Sequence, residues 1–121
     1  MRIASNLEEN AAEPGIFTWS LDGDTVYGDT AIASLFGLDP AETICGLPIA
    51  SYLERIHTDD RERVAVLISQ AVRSGLPYHA EYRVLDAFDE IRWVMAMGRC
   101  FRNRQGEPTH YAGIVYPLEL L

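Results

Sequence analysis

At 121 residues the chain has the length of one domain, and its 48% hydrophobic and 23% charged residues are the mix of a folded globular protein. Eighteen acidic against ten basic residues give a net charge of -8, which repels a polyanion on average and sets nucleic acid aside as a partner. No run approaches the ~20 apolar residues of a membrane span, and acidic residues stand where a signal peptide would be apolar, so the expectation is a cytoplasmic protein with no membrane partner.

Residues 3 to 12 have high helix propensity, with Ile3, Leu7 and Ala11 on one stripe, and Pro14-Gly15 ends the run; residues 1–14 read as a leader helix. Ile16 to Leu21 is aromatic and β-branched, and Asp22-Gly23-Asp24 turns it into Thr25-Val26-Tyr27, a hairpin. Asp29 caps a helix over Thr30 to Phe36 that Gly37 stops. Asp39-Pro40 starts a second helix that closes at Gly46, and Ile49 to Ile56 reads as a third short one. Val64, Leu67, Ile68 and Ala71 mark the buried face of a longer helix, Asp59 to Ser74, capped by Thr58 or Asp59 and ended by Gly75 and Pro77. The period then changes to two. Tyr78 to Val84, Ile91 to Phe101 and Thr109 to Tyr116 are strands of an antiparallel meander, with turns at 86–89 and 103–107. The class is α+β: a five-stranded antiparallel sheet with short helices and one longer helix packed on one face.

That order, with its local strings, resembles the PAS family, in particular the subgroup whose long helix opens on His-Pro-Asp-Asp-Arg. Here the string is His57-Thr58-Asp59-Asp60-Arg61, and around it stand Gly15-Ile16-Phe17-Thr18-Trp19, Leu35-Phe36-Gly37-Leu38-Asp39-Pro40, Glu81-Tyr82-Arg83-Val84, Ile91-Arg92-Trp93-Val94 and Tyr111-Ala112-Gly113-Ile114-Val115. All occur in family order. The resemblance implies a PAS domain over 15–118, with 119–121 as its end or the start of a linker. Three departures accompany it: Thr58 replaces the usual Pro, Ala87-Phe88-Asp89 replaces an Asp-Gly turn, and Tyr116-Pro117-Leu118-Glu119 stands where the family leaves through Asp-Ile-Thr.

Adjacent His57, Asp59 and Asp60 read as a helix start rather than a metal or acid–base cluster, since Asp59 with Glu62 fits a capping arrangement and the helix dipole favours first-turn acids. Two cysteines, Cys45 and Cys100, are too few for a disulfide scaffold or a metal site and read as small buried hydrophobes. The trio Arg99, Arg102 and Arg104 reads as a solvated strand end. The resemblance also bears on cofactors. In the flavin-binding members, the LOV domains, the reactive cysteine falls opposite Ile49 and the flavin-binding glutamine opposite Val115; haem-binding members carry a histidine in the long helix, and none lies between Asp60 and Gly75. Neither flavin nor haem is expected.

Strand alternation with the family register turns Ala80, Tyr82, Val84, Val94, Ala96, Gly98, Gly113 and Val115 towards the helices. An apolar pocket bounded by Ile49, Leu53, Leu67, Ala80, Tyr82, Val94, Ala96, Gly98 and Val115 is one reading, with Tyr82 as the one hydroxyl to orient a guest. A core filled by Ile49, Tyr52, Leu53 and Leu67 is the other. The opposite face carries Trp93, Met95, Met97, Ile114 and Tyr116. Periodicity alone makes this the core face, because it holds the larger apolar side chains; the family register makes it a homodimer interface completed by Ile3 and Leu7. The functional expectation is a sensory module, not an enzyme, relaying a conformational signal to a kinase or cyclase output. A ligand-free dimerisation module is the alternative, and a small α+β enzyme with a Tyr/Asp pair a third reading, which requires an inward Asp beside Tyr82.

Overall fold

Alternating aromatic and β-branched residues form β1 (Gly15–Ser20), and a tight turn returns the chain as β2 (Thr25–Gly28). The structure is a computed structural model and describes residues 12–120. The expected leader therefore falls outside the described residues, Ile3 and Leu7 with it, except for Ala12 to Pro14, which have no regular structure. In the β1–β2 turn the left-handed residue is Asp24, at φ 46°, rather than Gly23. Its carboxylate holds it there, accepting from Trp19 Nε1 at 3.0 Å and from Ile49 N at 3.3 Å.

α1 (Thr30–Phe36) starts on Asp29, which accepts from Ile32 N at 3.0 Å and with its other oxygen from Ile16 N at 3.1 Å, so one carboxylate caps the helix and ties it to β1. Gly37 ends it at φ 63°, a conformation that suits glycine. The Arg55 guanidinium then donates to Phe36 O at 2.7 Å and Leu85 O at 3.0 Å, satisfying a carbonyl at the helix end. α2 (Pro40–Cys45) opens on an Asp39 cap with Pro at its first position. α3 spans Ile49–Leu53, shorter than the expected 49–56, because Ile56 leaves the helix to bridge Val84. α4 (Thr58–Ser74) is capped neither by Thr58 nor by Asp59. His57 is the cap, its Nδ1 accepting from Asp59 N at 3.1 Å.

β3 (Tyr78–Leu85), β4 (Ile91–Arg102) and β5 (Pro108–Pro117) form the meander, and Leu118–Leu120 adds one 3₁₀ turn. The sheet is antiparallel in the order β2-β1-β5-β4-β3. Ile32, Leu35, Val64, Val84 and Val94 are wholly buried between it and the helices.

The family register is the one observed. Ala80, Tyr82, Val84, Val94, Ala96 and Val115 are buried, whereas Ile91, Trp93 and Met97 are 53%, 48% and 38% exposed. Periodicity alone picks the wrong face, because the buried face mixes small Ala80, Ala96 and Gly98 with Tyr82, Val84 and Val94, whereas the exposed one carries the larger Trp93, Met95 and Met97. Gly98 pairs with Gly113 across β4 and β5, and a Cβ on Gly113 would collide with the Met97 carbonyl. The cysteines depart from expectation. Cys45 is exposed at the end of α2, and Cys100 is only half-buried, since it stands near the end of β4 where helix cover runs out.

Candidate functional site

Between the inner sheet face and α3 and α4 the side chains leave an apolar cavity of about 70 Å³. Of the pocket residues expected from sequence, Ile49, Leu53, Tyr82, Ala96 and Val115 line it. Leu67, Ala80, Val94 and Gly98 do not. Gly98 is roofed by Phe17 and Tyr111, whose ring atoms lie 3.4 and 3.7 Å from where its Cβ would be; Ala80 and Val94 lie within the close-packed core, and Leu67 is a half-buried residue packed against it. The lining instead includes Phe17, Trp19, Tyr78 and Tyr111. Their signal was strand parity: Phe17 and Trp19 alternate with exposed residues on β1, Tyr78 lies two residues before Ala80, and Tyr111 lies two before Gly113.

Tyr82 is therefore one of several hydroxyls at the cavity. Tyr111 donates to the carbonyls of Ala71 and Leu76, and Tyr52 to Val26 O at 3.4 Å. Burial pushes both phenols up to about 12. Tyr78 and Tyr82 are also raised, by burial. The Tyr78 hydroxyl is buried and unpartnered.

Asp60, expected only as a helix-start acid, is buried and joined to β3. It accepts from Arg83 N at 2.9 Å, Nε at 2.9 Å and Nη2 at 2.8 Å, and the hydrogen bonds from Arg83 hold its carboxyl well below the usual carboxylate range against the cost of burial. The same guanidinium lies 5.1 Å from the centroid of the Trp93 ring. Arg83 thus ties the first turn of α4 to the outer sheet face. Asp86 organises the β3–β4 turn: it accepts from Phe88 N at 2.8 Å, Glu90 N at 2.9 Å, and Arg92 Nε and Nη2 at 3.1 and 3.0 Å. Asp89 takes the left-handed place of the absent glycine, at φ 59°. Arg92 also pairs with Glu119 in the 3₁₀ turn, so the exit of β5 is tied to the start of β4.

On the outer face Met95 pairs with Tyr116 and Met97 with Ile114, while Ile16 pairs with Ile114 from the other side. With Trp93 they form an apolar strip. Among the described residues no carboxylate lines the cavity, and Tyr78 lies beside the Tyr82 hydroxyl.

Among the described residues, a sheet cups short helices over a small apolar cavity and carries an apolar strip on its other face. A family model described as PAS fold matches residues 25–115, and the chain belongs to the PAS family. The sensor protein FixL of Bradyrhizobium diazoefficiens is 30% identical over 111 residues, covering 87% of this chain and 21% of that protein. A methyl sulfide methyltransferase-associated sensor of Methanosarcina acetivorans is 34% identical over 105 residues, covering 86% of this chain and 10% of the other. The N-terminal domain of a diguanylate cyclase with PAS/PAC sensor from Marinobacter aquaeolei has a similar fold at TM-score 0.80 and 18% identity, covering 89% of this chain and 97% of that one. The chain thus spans only 21% and 10% of the lengths of these two curated relatives. Among the described residues no helix is long and apolar enough to cross a membrane.

Proposed function

We propose that this chain is the sensing module of a cytoplasmic signalling protein: a small apolar guest enters the cavity, and the change is relayed through the sheet to its outer face, where a second copy and a kinase or cyclase output engage. The observation that carries this reading is the continuous path from cavity to surface. Helix α4 forms one wall of the cavity through Ile68, Ala71 and Val72, and its first turn grips Arg83 through Asp60, beneath the exposed Trp93. Two curated relatives bear the name of sensor and a fold neighbour is the N-terminal domain of a diguanylate cyclase with PAS/PAC sensor, which supports the same role. The module itself is not catalytic in this reading.

In this reading the cavity takes neither flavin nor haem. At about 70 Å³ it is roughly half the ~150 Å³ that accommodates benzene, so a three-ring flavin or a porphyrin enters only by displacing the core. Ile49 and Val115 line it without a polar atom to offer a flavin, and α4 has no histidine for haem iron. The same small volume favours the second reading, a ligand-free dimerisation module.

Native mass spectrometry with an absorption spectrum of protein purified from cells tests the proposal. The expected result is a dimer with no absorption band beyond the aromatic one, retaining a small guest. Met95→Glu places a charge in the middle of the apolar strip and is expected to yield a folded monomer. A wild type that is monomeric at high concentration refutes the interface, and a dimer whose cavity takes up no small apolar probe leaves the dimerisation reading in its place.

A further inference from the structure

The cavity wall is hydrocarbon broken by a few polar groups. Among its lining residues none is charged, and most of the polar atoms are already used: the Trp19 indole donates to Asp24, the Tyr111 hydroxyl to Ala71 and Leu76, the Tyr52 hydroxyl to Val26. The Tyr78 hydroxyl differs. It is buried beside the Tyr82 hydroxyl on the same strand face, and no well-formed hydrogen bond gives its own O–H an acceptor. A buried donor without an acceptor is costly enough that native structures rarely keep one unless something absent from the chain itself supplies the partner.

We infer that the guest is a small neutral molecule carrying a hydrogen-bond acceptor, such as a short ketone, aldehyde or ether, and that Tyr78 selects it by donating to that acceptor. This rests on the reading of the cavity as a guest site. Three features set the class. The volume, about 70 Å³ against the ~150 Å³ that holds benzene, admits roughly three to five non-hydrogen atoms. The lack of a charged residue in the wall excludes ions, whose burial there finds no counter-charge. The unmet O–H asks for an acceptor rather than a donor.

Two probes of one skeleton, acetone and 2-methylpropene, differ only in exchanging a carbonyl oxygen for a methylene group. Each is titrated into the full chain while the methyl resonances of Ile49, Leu53 and Val115 are followed by NMR, in wild type and in Tyr78→Phe. The expected result is that Tyr78→Phe weakens acetone binding by about three- to tenfold, the worth of one hydrogen bond, and leaves 2-methylpropene within twofold. A second reading needs no ligand: the melting temperature of Tyr78→Phe is expected to equal or exceed that of wild type, since the variant removes a buried hydroxyl that makes no well-formed hydrogen bond. An equal effect on both probes, no effect on either, or a melting temperature lowered by several degrees overturns the assignment to Tyr78, the last showing that a buried water or a neighbour already satisfies the hydroxyl. If neither probe moves the lining methyls in wild type, the guest-site reading itself fails, an outcome distinct from binding that ignores the carbonyl.

Discussion

Replacing Asp86 by alanine tests whether one buried carboxylate holds the β3–β4 turn and, through Arg92, the exit of β5. The Asp86 side chain is 3% exposed and that of Arg92 15%, so the substitution strands a largely buried guanidinium and removes the acceptor of the Phe88 and Glu90 amides. Breaking a buried pair in this way costs about 3–5 kcal/mol. Arg92 keeps Glu119, which places the expected loss near the lower end, about 3 kcal/mol. That is a large share of the roughly 5–15 kcal/mol that stabilises a domain of this size. Asp86→Asn separates the two roles: the amide oxygen still accepts from both backbone N–H groups, while the NH2 in place of Oδ2 meets the Arg92 guanidinium donor to donor and forfeits both of its hydrogen bonds, so the loss is smaller than alanine's by about 1 kcal/mol for the backbone bonds kept. Urea denaturation followed by tryptophan fluorescence and circular dichroism measures both, the midpoint moving with an unchanged slope. Equal losses for the two variants, or a loss below about 1 kcal/mol for the alanine, would refute the reasoning.

Two further perturbations follow from the same geometry. The Asp60 carboxyl is held below its ordinary range, so its contribution is complete above the unfolded-state value of about 4 and drains away as pH falls below that, where the unfolded chain takes up the proton first. The urea midpoint of wild type is expected to fall more steeply between about pH 4 and 2 than that of Asp60→Asn, and parallel slopes would show that Arg83 does not set this carboxyl. Gly98→Ala is expected to be tolerated, its Cβ meeting Phe17 at 3.4 Å, while Gly98→Leu overpacks Phe17 and Tyr111 and lowers stability by about 1–3 kcal/mol in thermal melts; a neutral leucine would mean the cavity reaches β4 at this point.

Most element borders were legible because local chemistry writes them: Asp29 and Asp39 accept at the helix starts they announce, and Gly37 and Gly75 sit left-handed at the ends. What escaped was non-local. Ile56 leaves α3 for a bridge to Val84, and Asp60 finds Arg83 across 23 residues; neither partner is visible in a local window. The His57 cap escaped for another reason, since histidine lies outside the residues that ordinarily cap a helix. The sheet's orientation was the instructive conflict. Hydrophobic size pointed to the Trp93 face as core, and only the resemblance to a known fold turned it outward. Gly98 faces inward because Phe17 and Tyr111 occupy the space that a larger side chain would need. Strand parity located Tyr82, Ala96 and Val115 in the cavity wall and, carried two residues further along β3 and β5, would have added Tyr78 and Tyr111. It could not have separated Ala80 and Val94, packed solidly, from Ala96, which borders space.

The chain's two tryptophans stand on opposite sides of one sheet, Trp19 at the cavity with its indole bonded to Asp24 and Trp93 on the outer face beneath the Arg83 guanidinium. Nature has in effect placed a fluorophore at each end of the proposed relay. Emission from a Trp93→Phe protein reports what happens inside, emission from a Trp19→Phe protein reports what happens at the surface, and the delay between them after rapid mixing with a guest is the time the signal takes to cross the sheet.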